Sequence, residues 1–524
     1  MNIRYQNALL WRGGDHPVKL QDFDVLDGLV AEAGAASNTD LIVDLKHKFV
    51  MPAFRDGHCH PLFAGREHVG PDVTQAKTLA EIGSIIRDYA QAHPSVFWID
   101  GAAYDRSIAV EFTRHELDAI FSDRPIVLHG ADHHTLWVNT LALEQAGLMD
   151  SLPELNVGSI DLADDGKPNG MLREWDAMQL VLNKIPPLTM DQELDALDWA
   201  QSYLIDSGVV EVQDAWIDPG MTEIYLESAR RGRLKIRTNL AFRADPISWR
   251  QDFEYFASMR SLIDELNHPM LRANAIKFFI DGVLGSSTAS VLEPYVAGPK
   301  VHTHGEPVWD PEELLTATRH ADELGYQLHL HAIGDAGVRA ALDAIEAVSP
   351  KVPGVIAHTE LVSDEDIPRF RQLNVTANFE PLWAREDGQL LSCVPQVGRE
   401  RIDKMYRMRD LADSRAIVAF GSDWPVSSPV PLEGIATAVN RSLPGGVSWT
   451  KHQALTTREA LVAYTSGVCR QLAESRRTGT LEIGQPAEFV VLSANPFEIS
   501  EPELFGLSVL GTNLNRVPLL EVND

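Results

Sequence analysis

"MPAFRDGHCHPLFAG", residues 51–65, carries an apolar run into two histidines one residue apart, with Asp56 interrupting the run. Successive side chains on a strand alternate faces, so His58 and His60 point the same way at the strand's exit and Cys59 turns to the other face. Two imidazoles placed like this can chelate one metal ion, and zinc, nickel and iron all accept them. The same spacing also fits two polar residues where a strand stops, and an HxH pair alone does not choose between these readings. What chooses is the position of the other candidate residues in the fold.

From about residue 200 to 425, short apolar runs alternate with amphipathic segments, the order expected of βα units around a parallel sheet. In one unit Asp310 caps a helix that has Pro311 at its first position and Glu313 at N3; Gly325 ends it, and "YQLHLHAIGD" follows as a strand. In a second unit Ser363 caps "DEDIPRFRQL", Asn374 ends it, and "VTANFEP" is the next strand. Strand candidates fall at 49–58, 208–214, 235–242, 274–281, 327–331, 354–358, 374–379 and 417–423. Eight in succession is the count of an α/β fold of the (β/α)8 TIM-barrel type.

The interval between the first two candidates is too long for a simple connection and needs structure of its own. "PIVLHGADHHTLWVN" and "DDGKPNGMLREW" lie in it, and it reads as a lobe inserted over the barrel mouth at about 66–200. The ends of the chain break the barrel rhythm. "IRYQNALL", "VLDGLVAEAG" and "LIVDL" at one end, with "EFVVLSA" and "RVPLLEV" at the other, read as short strands that can pair into one β-sandwich. The expected organisation is a sandwich from 1–50 and 476–524 and a barrel from 51–475, with a Thr456/Glu459 capping box opening a helix between barrel and tail.

In a barrel the C-terminal ends of the strands converge on one mouth. Lys277 in "NAIKFFIDG", His331 in "LHLHAIGD", His358 in "VIAHTEL" and Asp423 in "VAFGSDWPV" each fall in or at the end of a separate strand candidate. With His58 and His60 they make six metal-ligand candidates from five strands. Each alone has a bland alternative: a lysine paired with a carboxylate, a hydrogen-bonded strand histidine, an aspartate forming a turn. Their convergence favours a metal site. His302 and His304 repeat the HxH spacing in a Gly/Pro loop, and His329 lies one layer deeper than His331, where packing or support of a ligand is expected. His133 and His134 belong to the lobe, as substrate contacts or as packing.

With 45 basic against 75 acidic residues the net charge is −30, which repels nucleic acid and anionic membrane surfaces and points to a small-molecule partner. Three scattered cysteines make no disulfide framework, and the N-terminal segment lacks the pattern of a secretory signal, so a cytoplasmic protein without a membrane span is expected.

Taken in order, "MPAFRDGHCH", "LWVNTLAL", "DGKPNGMLRE", "IKFFIDGVLGSSTA", "HLHAIGDAGV", "FGSDWPV" and "GTLEIGQPAEFVVL" resemble the amidohydrolase superfamily, in its amidohydrolase-3 branch of YtcJ-like proteins and N-substituted formamide deformylase. The resemblance implies a metal-bearing barrel with a sandwich from both termini. It implies one or two divalent metals per subunit, zinc by ligand type with iron, manganese or nickel as alternatives: one on His58, His60 and Asp423 and, where Lys277 is carboxylated, a second on His331 and His358. A carboxylated Lys277 would bridge the two. Hydrolysis of a C–N bond in a small amide is the implied reaction, with Asp423 as general base and acid; a deaminase, a cyclic imide or ester hydrolase, or a non-catalytic binding protein are the alternatives. Glu174 is expected to reach the mouth as an acid or substrate anchor, with His133, Trp137, Trp175 and Trp424 as substrate contacts and a homodimer as the assembly. The sequence departs from the branch at Gln213, Ser287, Ala357 and Glu380, where histidine, arginine, glutamate and glutamine are common.

Overall fold

The computed structural model describes all residues except 36–37, 106–107, 131–134, 156–157, 299, 474–476, 515–518 and 520–524; the side chains of Trp175, Gln389 and Ser392 also lie outside the description. Eight strands form a parallel barrel sheet in chain order: Phe54–Cys59, Val209–Ile217, Arg237–Arg243, Leu271–Phe279, Gln327–Ala332, Val355–His358, Thr376–Phe379 and Ile417–Phe420. The apolar run at 49–58 divides in two. Phe49–Pro52 pairs antiparallel with Phe489–Leu492 in the terminal domain, and Phe54–Cys59 begins the barrel. The handover is at Ala53, whose N–H donates to Glu488 O, while Phe54 N–H donates to Gly208 O.

Local signals place the helices between these strands. Asp310 accepts from the N–H groups of Glu312 and Glu313 and caps Pro311–Glu323, and Thr456 with Glu459 completes the expected capping box. The other expected cap differs. The helix is Ile367–Gln372 with Asp366 at its N-cap, and the Ser363 hydroxyl instead donates to Asp366 Oδ2 at 2.6 Å. Pro368 accounts for the late start, because a proline has no N–H to donate and is accommodated in the first turn of a helix but not further in.

Both ends of the chain build one seven-stranded sheet around a shared core. Ile3–Leu10 pairs with Lys19–Leu26 on one edge, and with Leu41–Asp44 and then Phe49–Pro52 on the other. Tyr5, Phe23 and Phe489 pack ring against ring with centroids 5.0–5.5 Å apart. The last strand described is Val509–Asn513, ahead of "RVPLLEV", most of which lies outside the described residues.

Pro61–Ala200 forms a separate compact unit after the first barrel strand. Its five-stranded sheet is built from Ile99–Tyr104, Ile126–Gly130, Thr135–Val138, Ser159–Leu162 and Pro168–Arg173. Trp137, expected as a substrate contact, is 0% exposed in the core of this lobe. It packs against Tyr104 and Phe112, and its indole N–H donates to Thr113 O at 2.7 Å. A ring with every face packed and its one donor satisfied is a core residue, so Trp137 lines no open surface. No helix among the described residues is long and apolar enough to cross a membrane.

The barrel and the terminal sheet are joined by buried charge. Arg55 on the first strand contacts Glu211 at 3.1 Å and Glu488 at 3.0 Å, Arg272 contacts Glu211 at 3.0 Å, and Arg237 bonds Glu488. Burial alone would raise the Glu211 carboxyl, but Arg237, Arg272, Arg55 and Arg477 outweigh it and hold it at about 2, below its ordinary 4.5. Removing one partner of such a network leaves uncompensated charge indoors, at about 3–5 kcal/mol. Glu211→Gln is therefore expected to cost that much in urea unfolding, with less than ~0.5 kcal/mol contradicting the assignment. A depressed carboxylate contributes stability that is complete above its unfolded value of 4.5 and lost as pH falls toward 2. The wild type should lose stability through that window, and the variant should lose less.

Candidate metal centre

The first and eighth barrel strands are the two ends of the sheet order and share no ladder. Their C-terminal ends are joined instead by Asp56, a fully buried carboxylate. Asp56 accepts from His58 N–H at 3.0 Å, Ser422 N–H at 3.1 Å and the Ser422 hydroxyl at 2.5 Å. His58 O accepts from the N–H groups of Ser422 and Asp423, and His60 N–H donates to Trp424 O. The approach is close enough that a Cβ on Gly421 would stand 2.7 Å from His58 Cβ, which explains a glycine before Ser422 and Asp423. Burial pushes the Asp56 carboxyl up to about 7, against these hydrogen bonds.

This junction brings His58, His60 and Asp423 together. One ligand atom from each lies within 4.8 Å of the others, and all three side chains are buried. His60 Nε2 is 2.9 Å and His58 Nε2 3.3 Å from Asp423 Oδ1. Lys277, on the fourth strand, places Nζ 3.2 Å from His58 Nε2 and 4.8 Å from the Phe279 ring centroid. The rings of His58 and His358 are 4.7 Å apart and those of His331 and His358 4.5 Å apart, so all six candidates from five strands meet at one mouth. Cys59 is not part of the three-residue group, as strand alternation requires.

The donor set fits a divalent cation. His58 Nε2 and the Asp423 carboxylate present lone pairs to each other at a separation that only a shared cation or proton makes favourable. The tautomers agree. His329 Nε2 lies 2.9 Å from His58 Nδ1, and His58 Nδ1–H donating there leaves the lone pair on Nε2. His358 Nδ1 lies 2.9 Å from Glu380 Oε2, which leaves its Nε2 available in the same way. Electrostatics follow from burial and neighbours. Burial lowers His58 well below the usual imidazole value, with Lys277 adding to it. Burial lowers Lys277 to about 8, against Asp423 and Glu380. Burial also opposes a charged His60, but Asp214 and Asp423 outweigh it and lift the ring to about 9. Asp423 is held well below the carboxylate range because His58 and His60 overcome its burial.

Two of these residues sit in strained backbone. His358 has φ 73° and Asp423 φ 54°, conformations that cost non-glycine residues about 1–3 kcal/mol and gather at functional sites. Asp281 anchors the loops beside them, accepting from the N–H groups of Ser290, Ile333 and Gly334.

Aromatic rings surround the cluster. Trp383 lies parallel to His358 at 5.5 Å, Phe279 is 5.0 Å from His331, and Trp216 is 6.3 Å from His60. Trp424 stacks on Tyr203 at 5.5 Å. Of the remaining expected contacts, His133 and the Trp175 side chain lie outside the described residues. Glu174 begins a lobe helix with φ 63°. Three of the positions where the sequence departs from the branch are structural here. Gln213 accepts from Asn239 at 2.7 Å, Ser287 bonds Gln396 at 2.5 Å, and Ala357 is fully buried.

Asp56, Asp214, Asp281, Trp216 and Phe279 were not legible as site residues. A buried aspartate in a strand or loop carries no periodic signal, and its role depends on the main chain of a distant segment.

A family model described as "Amidohydrolase family" matches residues 41–515. The chain is 26% identical to YtcJ of Bacillus subtilis (strain 168), over 97% of this chain and 98% of that protein. It is 26% identical to N-substituted formamide deformylase of Arthrobacter pascens, over 92% and 90%. A crystal structure of an uncharacterized metal-dependent hydrolase from Pyrococcus horikoshii OT3 superposes with TM-score 0.77 at 28% identity, covering 96% of this chain and 99% of that one.

A cation that binds only the folded chain stabilises it by about 2.7 kcal/mol at 100 times its dissociation constant. Zinc added to chelator-treated protein is expected to raise the denaturation midpoint accordingly, and His60→Ala is expected to remove most of that rise. An equal rise in the variant would place the zinc elsewhere.

Proposed function

The chain belongs to the amidohydrolase family, and we propose that it is a metal-dependent hydrolase cleaving a C–N bond in an amide-like small molecule, N-substituted formamides being the first class to test. The observation that carries this reading is the buried group of His58, His60 and Asp423, with one ligand atom from each within 4.8 Å of the others. Lys277, His331 and His358 stand directly beside it. The names of two relatives support it: one is a formamide deformylase, the other a metal-dependent hydrolase.

In this proposal His58, His60 and Asp423 would hold one divalent cation and His331 and His358 a second, and Lys277, once its neutral amine has taken up carbon dioxide and lost a proton, would offer a carbamate to both. Zinc suits a set of imidazoles and carboxylates. When bound, such a cation supplies Lewis acidity, lowering the pKa of water it holds and polarising a substrate carbonyl. Asp423 accepts the proton of the attacking water and passes it to the leaving nitrogen, a role suited to a carboxylate that burial alone does not neutralise. The hydrogen bonds of its main chain to His58 hold it in place for both transfers. Trp216, Phe279 and Trp383 supply apolar walls that exclude water and take the substrate's nonpolar part. Glu174 is assigned as an acid or substrate anchor and Trp424 as a substrate contact. The assembly is assigned as a homodimer, for which sedimentation is the test.

Asp423→Asn is expected to lower kcat by about 10²–10⁴ on a hydrolysed formamide or amide, the usual worth of a general base and acid. Lys277→Ala is expected to lose at least one equivalent of metal by elemental analysis. Near-wild-type turnover in metal-loaded Asp423→Asn would contradict the assigned chemistry.

A further inference from the structure

Charge is shared unequally between the two halves of the histidine cluster. His58 and His60 are closed by the carboxylate of Asp423, 3.3 Å and 2.9 Å from their Nε2 atoms. His331 and His358, with ring centroids 4.5 Å apart, have no carboxylate set between them in that way among the described residues. The nearest candidate, Asp281, stands 3.8 Å from His331 Nε2 and is already held by three main-chain N–H groups. The rings behind the two halves differ as well. His58 is backed by the imidazole of His329, whereas His358 is backed by the carboxylate of Glu380, with Oε2 at 2.9 Å from Nδ1.

Glu380 is placed for this and for little else. Its side chain is 0% exposed, and Oε1 has no hydrogen-bond partner among the described residues; burial and the nearby Asp423 push its carboxyl well above the ordinary value, against Lys277, so a cation on His358 is what favours its charged form. It follows the seventh strand directly, so the end of that strand sets its position. On the other side, Trp383 stacks on the His358 ring with an angle of 5° between the planes, and fixes the plane in which Nδ1 meets Glu380. An imidazole whose Nδ1–H is held by a carboxylate presents its lone pair at Nε2 and is a stronger donor than one backed by a neutral group.

We propose that Glu380 is a positioning residue for the second metal position: it fixes His358 as the Nδ1–H tautomer and places a carboxylate one ring away from a pair that would share the Lys277 carbamate but has no ligand carboxylate of its own. The inference rests on the two-cation reading above and goes beyond it by making the two positions separately tunable. Asp423 sets the charge of one position and Glu380 that of the other.

The test is a cobalt(II) titration of metal-free wild type and Glu380→Gln, followed by visible absorption and by elemental analysis after gel filtration. The amide oxygen can still accept from His358 Nδ1, so the substitution removes charge while keeping shape and hydrogen bond. Wild type is expected to take two equivalents. Glu380→Gln is expected to take the first with unchanged affinity and the second about 10–100-fold more weakly, the usual effect of losing such a partner. Both equivalents bound as in wild type, or both weakened alike, would overturn the proposal. A wild type that takes one equivalent overturns it and leaves a one-metal hydrolase standing, whereas a wild type that takes none overturns both readings. Should metal-free Glu380→Gln melt well below wild type, Glu380→Asp decides: with the charge kept, two equivalents are expected, and loss of the second would overturn the proposal.

Discussion

The candidate centre depends on how the barrel closes. Seven of the eight strand-to-strand contacts are parallel ladders, but between the eighth strand and the first the ladder is replaced by Asp56 and by main-chain bonds from His58 to Ser422 and Asp423. That junction fixes three ligand candidates at once, two on one side and one on the other. Without a Cβ, Gly421 lets the segments approach to where a side chain would collide with His58. Gly57, between Asp56 and His58, makes a second close approach. Gln471 donates to Gly57 O and accepts from Asn378, tying a C-terminal helix to the first and seventh strands. A Cβ on Gly57 would meet both of those side chains at 2.5–2.6 Å.

Much of the fold could be read in the sequence because its signals are local. Strand alternation put His58 and His60 on one face, capping residues marked helix starts at Pro311 and Thr457, and the succession of apolar runs marked eight strands. The boundary at Ala53 was hidden because one unbroken apolar run serves two domains. Burial on both sides leaves no change of pattern where the partner strand changes. Trp137 shows the same limit: an aromatic has the same letters whether it lines a cleft or, as on this lobe strand, fills a core.

Within the centre, what could be read and what could not divide along the same physical line. Histidines, a lysine and an aspartate at strand ends announce a metal because strand ends converge in a barrel. The groups that orient them do not announce themselves. Asp56 acts through a segment more than three hundred residues away, and Glu380 acts on a ring that precedes it by 22 positions. His329 was expected either to pack or to support a ligand, and its contact is with His58, on a strand four places away in the sheet. Such partners matter because an imidazole is a useful ligand only when its other nitrogen is told which tautomer to hold. The left-handed backbone at His358 and Asp423 shows that the fold pays for this arrangement in local strain.

The central claim is that the mouth of this barrel is a metal centre built on the junction of its first and eighth strands. Anomalous diffraction from crystals of the full chain grown with zinc, measured on both sides of the zinc absorption edge, tests it most directly. The account predicts an anomalous peak within about 2.0–2.2 Å of His58 Nε2, His60 Nε2 and an Asp423 oxygen. A map without a peak there, or with zinc bound only elsewhere on the chain, would contradict it.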